Sequence, residues 1–97
     1  MDSYEAGTPT EVLAATQLRF MGGVTAFLYQ PRVWGFSLIG TVYYDSKDRF
    51  RTGWLIRTSD VCEFQDEHGY VVAVTATGSR YVLVEFNLPS DLALEKG

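Results

Sequence analysis

The chain has 97 residues, enough for one domain, with 46% hydrophobic and 21% charged residues, so it belongs among globular and not disordered sequences. Twelve acidic against eight basic side chains give a formal net charge of −4, which disfavours nucleic-acid binding driven by a general excess of Lys and Arg. Apolar runs are too short for a membrane span, no charged-then-apolar leader is present, and Cys62 stands alone. The expectation is therefore a cytoplasmic protein without a disulfide framework or a membrane attachment.

Residues 1–7 are polar and read as a disordered tail. Thr8-Pro9-Thr10-Glu11 then has the form of a capping box with proline at the first helical position, so a helix is predicted over 8–21, stopped by Gly22-Gly23. Leu13, Ala14, Leu18, Phe20 and Met21 fall on the broad face it would bury, with Val12, Ala15, Thr16 and Arg19 opposite.

The period then changes to that of strands over 24–87. Val24–Tyr29 is ended by Gln30-Pro31, and Phe36–Tyr44 follows as the second strand. After the turn Asp45–Asp48, Arg49–Thr58 alternates as a third. Asp66-Glu67-His68-Gly69 is a turn, and Tyr70–Thr77 and Arg80–Asn87 form a hairpin around Gly78-Ser79, read as a type II′ loop. That register places Val72, Val74, Ala76, Tyr81 and Leu83 on one face and Val71, Ala73, Val82, Val84 and Phe86 on the other. Both faces are apolar, so the hairpin must be covered twice, by the remainder of a barrel on one side and by the helix or a partner subunit on the other. Residues 88–97 are a tail, in which Ser90-Asp91 can cap a short helix. The fold class expected is α+β, mostly β: a helix followed by a strongly bent five-stranded antiparallel sheet or a small SH3-like, partly open barrel.

Chemistry-bearing motifs are sparse. On the third strand Arg49, Arg51 and Arg57 share one face, where they suit an anion, a phosphate backbone or an acidic protein, and Tyr44 lies where it would stack on Arg49. Trp34, in the loop Pro31–Gly35, reads either as a core or capping residue or, if its indole is exposed, as an anchor for a binding surface. Arg57-Thr58-Ser59-Asp60 collects hydroxyls and charge at a strand end. The cluster Asp60, Glu63, Asp66, Glu67 and His68 has no metal-ligand spacing, and no nucleophile elbow, P-loop or dinucleotide fingerprint is present. No catalytic, cofactor-binding or metal set is assigned, and no cofactor is expected. The surface carried forward is Trp34, Tyr44, Arg49, Arg51, Arg57, Thr58 and Ser59.

The segments Trp34-Gly-Phe-Ser-Leu-Ile-Gly-Thr-Val-Tyr43, Asp48-Arg-Phe50, Thr52-Gly53, Ile56-Arg-Thr-Ser59, Val61 and Thr77-Gly-Ser-Arg-Tyr81-Val-Leu83 resemble a group of small bacterial proteins often encoded on mobile elements: plasmids, phages and integron gene cassettes. The likeness covers a little over half the chain; Thr52 replaces the group's usual Asp, and the N-terminal helix lies outside the pattern. It implies a mobile-gene setting and supplies no chemistry.

Three functional readings follow: a non-enzymatic β-barrel binding or assembly module acting as a homo-oligomer, with a dimer favoured or an unidentified protein partner; a binder of nucleic acid or an anionic partner through the Arg49/Arg51/Arg57 face; and a small-ligand binder or enzyme with an aromatic-lined pocket. The net charge makes nucleic acid the weaker partner.

Overall fold

A computed structural model describes residues 7–86. The expected disordered start, the C-terminal tail and the end of the last strand at Asn87 lie outside the described residues. Helix α1 (Thr10–Thr16) precedes six strands: β1 (Ala26–Trp34), β2 (Ser37–Tyr43), β3 (Leu55–Arg57), β4 (Val61–Glu67), β5 (Tyr70–Thr75) and β6 (Arg80–Val84). They form one sheet in the order β3-β2-β1-β6-β5-β4. Two antiparallel three-stranded meanders are thus joined through a parallel β1–β6 pair at the centre. The sheet is mixed where an antiparallel one was expected. It has six strands instead of five, and its edges β3 and β4 do not pair with each other, so it is not a closed barrel. No helix among the described residues is long and apolar enough to cross a membrane.

The additional strand is β4. Glu63, Asp66 and Glu67 made it resemble an acidic loop, but charge on an edge strand is how a sheet discourages further pairing. Its His68-Gly69 turn has positive φ at both residues (55° and 83°), as a type I′ hairpin needs. The β1–β2 turn is Gly35-Phe36, with Gly35 at φ 62°. Strand β1 does not end at Gln30-Pro31: Gln30 (φ 50°) opens a bulge, the register shifts between Tyr29 and Arg32, and the strand runs on to Trp34.

The third strand is shorter than the alternation promised. The buried Asp45 carboxylate accepts main-chain N–H groups from Lys47, Arg49 and Phe50 and so winds 45–50 into a loop. Gly53, at φ 94°, then turns the chain into β3.

The β5–β6 hairpin also has another register. Val71 faces Leu83 and Ala73 faces Tyr81, leaving the three-residue loop Ala76-Thr77-Gly78 closed by Thr75 and Ser79. Gly78, at φ 89°, takes the left-handed place that such a loop requires. The offset from the expected register is odd, which exchanges the faces of one strand relative to the other. Val72, Val82 and Val84 pack with Val12, Ala15, Phe20, Phe27 and Tyr43 beneath the helical segment. Ala73, Tyr81 and Leu83 pack with Ala26, Leu28, Leu38, Val42 and Ile56 on the inner side of the curled sheet. Both apolar faces are therefore covered within one chain, and the hairpin no longer calls for a partner subunit.

Helix α1 has seven residues, with Pro9 at its N-cap and no side-chain cap bond, in place of the Thr8 capping box. It buries Val12 and Ala15, the side expected to face solvent, while Leu13 and Leu18 are partly exposed and Met21 is 90% exposed. The chain leaves the helix early because the next segment is anchored elsewhere. His68 Nε2 lies 2.7 Å from the Arg19 carbonyl, Met21 N–H donates to Glu67, and Arg80 donates to the Gly23 carbonyl. Phe20 packs edge-on against His68 and Tyr70.

Candidate interaction face

Helix α1 and Phe20 cover the outer side of the sheet only over its centre. Beyond them the outer side of β1–β2–β3 stays open, and the register arranges its side chains in rows. Arg32 pairs with Ile39, and Ile39 with Arg57; one row up Trp34 pairs with Ser37, and one row down Tyr29, Thr41 and Leu55 stand side by side. Side chains of directly opposed residues share a face. Leu38, Val42 and Ile56 point into the inner core, so Ile39, Thr41, Leu55 and Arg57 point outward.

The row Arg32–Ile39–Arg57 places two guanidinium groups across three strands, with backbones about 10 Å apart. Both arginines are exposed, and neither has a carboxylate partner among the described residues. Trp34 is 59% exposed and Leu55 71%. The two rows around Ile39 and Thr41 hold no acid. Carboxylates border them at both ends: Asp60 accepts from the Ser37 hydroxyl in the Trp34 row, and beside the helix burial, with Glu11 and Glu85 nearby, pushes the Tyr29 hydroxyl above its usual pKa. Phe36, 79% exposed at the turn, continues the apolar surface around to a cleft of about 200 Å³ between Val33, Leu38, Val61 and Phe64.

Of the residues expected to form a binding surface, Trp34 and Arg57 lie on this face. Arg49 does not: its guanidinium is bidentate on Asp45 (both 3.2 Å), donates to the Tyr81 hydroxyl at 3.2 Å and lies 4.8 Å over the Phe50 ring. Arg51 sits in the turn before β3, so the three arginines do not share a strand face. Tyr44 is not stacked on Arg49; it packs edge-on against Phe27 and its N–H donates to the Thr52 hydroxyl. Thr58 is buried, its hydroxyl accepting the Leu38 N–H and donating to the Ser59 carbonyl. Ser59 lies 3.3 Å from the Thr77 hydroxyl, and Ser37 donates to Asp60. Thr58, Ser59 and Asp60 thus tie β2 and the β5–β6 loop to the β3–β4 connection.

Arg32 was missed because Gln30-Pro31 reads as a strand end. The signal that could have found it is the renewed alternation of Arg32 and Trp34 beyond the proline. His68 is a contact of the Arg19–Phe20 segment instead of a free loop side chain. Among the described residues no group of three or more His, Cys, Asp or Glu could hold a metal ion, and Cys62 is an exposed free thiol.

No protein-family model matches the chain, and searches of curated proteins and of solved structures find no match.

Proposed function

We propose that this chain is a binding module whose open β1–β2–β3 face docks an acidic protein partner. The observation that carries the reading is the row Arg32–Ile39–Arg57: two exposed arginines without carboxylate partners flank an apolar residue, between Trp34 and Leu55. Trp and Arg on an apolar ground are the residues that dominate protein interfaces. Two arginines can anchor a pair of carboxylates while Trp34, Ile39 and Leu55 provide apolar contact.

A nucleic acid fits less well. Two phosphate contacts release few counterions, and the net charge of −4 repels a polyanion over more than the contact distance. The test is titration with a synthetic peptide alternating glutamate and valine, and separately with oligothymidylate. Peptide binding that weakens in the Arg32→Ala, Arg57→Ala and Trp34→Ala variants supports the reading. Oligothymidylate binding through the same residues, with a salt dependence steeper than the peptide's, overturns it in favour of a nucleic-acid module.

A further inference from the structure

β3 is one of the two edges of the sheet. Val42 N–H donates to the Trp54 carbonyl and Thr58 N–H to the Leu38 carbonyl, each at 2.8 Å. In an antiparallel pair, alternate residues of an edge strand direct both main-chain groups to the neighbour, and the residues between direct theirs away. Trp54, Ile56 and Thr58 therefore serve β2, while the N–H and C=O of Leu55 and Arg57 point out of the sheet. The side chains of those same two residues lie on the open face. The opposite edge, β4, is bulged at Cys62 and carries Glu63, Asp66 and Glu67, which hinder strand addition. β3 has no bulge and a single charge, Arg57, whose sign an acidic strand complements.

We infer that the acidic partner adds an antiparallel strand to β3; this rests on the docking reading above and specifies how the partner is held. Two outward-facing residues, Leu55 and Arg57, form four hydrogen bonds with an antiparallel strand, because directly opposed residues exchange both N–H and C=O. The side chain opposite Arg57 then stands on the open face, where charge complementarity calls for a carboxylate, and the one opposite Leu55 is apolar. Because the added strand runs against β3, the acid precedes the apolar residue: Glu-x-Val, not Val-x-Glu. A second copy of this chain is a poorer occupant. Symmetric antiparallel pairing of β3 with itself brings Arg57 opposite Leu55, Gly53 or another Arg57, and none of these is acidic.

The experiment uses the full chain and two isomeric peptides, Thr-Glu-Thr-Val-Thr and Thr-Val-Thr-Glu-Thr, with amide hydrogen exchange followed by NMR. The Leu55 and Arg57 amides are expected to gain protection with the first peptide, which binds about tenfold more tightly than the second. Leu55→Pro removes an N–H that β2 does not use, and proline is tolerated on an outer edge, so this variant should fold yet lose the preference. The wild-type exchange result stands without the variant should it fail to fold. If Arg32→Ala and Arg57→Ala weaken binding while both amides stay unprotected and both peptides bind alike, the strand-addition inference fails and the docking face survives. If the arginine variants bind as well as wild type, the docking face fails and takes this inference with it. Protection that grows with protein concentration in the absence of peptide assigns the edge to a second copy and overturns the inference.

Discussion

Gly40 on β2 lies directly against Pro31 in the β1 bulge: a Cβ on Gly40 would stand 3.1 Å from Pro31 Cα and 2.9 Å from Leu28 Cγ. This contact makes room for the extra residue, and the extra residue rephases β1 so that Arg32 joins Ile39 and Arg57 on the outer side. Without the bulge, Arg32 and Trp34 would turn toward the inner core.

Gly40→Ala should therefore be costly despite its small size. One added methyl against a bulged backbone and the buried Leu28 predicts a loss of about 1–3 kcal/mol, read from the urea midpoint. Gly40→Val should be worse. A midpoint unchanged in Gly40→Ala would mean that the bulge yields easily and does not fix the phase of the face.

Asp45 offers a pH test. Burial pushes its carboxyl pKa up, but hydrogen bonds from the Arg49 side chain and from the Arg49, Lys47 and Phe50 main-chain N–H groups outweigh it and hold the folded pKa below the ordinary value. A depressed folded pKa contributes stability that is present above the unfolded pKa, near 3.9, and lost as pH falls through the folded one. Asp45→Asn should cost about 2–3 kcal/mol at neutral pH, since it leaves Arg49 unpaired. The variant should also lose part of the wild-type decline in stability below about pH 4. Denaturant titrations at a series of pH values check both.

Arg80 clamps the segment that leaves the helix. Its guanidinium donates to the Gly23 carbonyl, to Gln65 and to Glu67, and a Cβ on Gly22 would lie 2.5 Å from its Cζ. Arg80→Ala should cost about 1–3 kcal/mol and raise amide exchange across residues 18–23. Because Arg80 is held in place, Gly22→Ala should be more damaging in the wild type than in the Arg80→Ala background. A double-mutant cycle reads that coupling, and additivity would show that Arg80 moves aside freely.

What the sequence made legible followed from composition and local turn chemistry. The mostly β character and the hairpin covered on both sides follow from residue type and period, whereas the exposure of Trp34, undecided from the sequence, is set by the β1 bulge. Three features depend on tertiary structure and were hidden. Val61–Glu67 has the acids of an edge strand, which read like a loop when the edge is unknown. Arg49 alternates correctly with Arg51 and Arg57, yet the Asp45 carboxylate winds its segment into a turn. Arg32 lies beyond a Gln-Pro pair that normally ends a strand, and the strand continues because Gly40 leaves room for Pro31 in the bulge.

The open face is tested most directly by comparing arginines of equal charge. Arg32, Arg57 and Arg51 are all exposed, but only the first two flank Ile39. Affinity for the glutamate–valine peptide is measured for the Arg32→Ala, Arg57→Ala and Arg51→Ala variants at one ionic strength. A loss of about tenfold in the first two is expected, with Arg51→Ala near wild type. An equal loss in all three would show that the peptide senses only net charge, and would contradict a docking site built on the row Arg32–Ile39–Arg57.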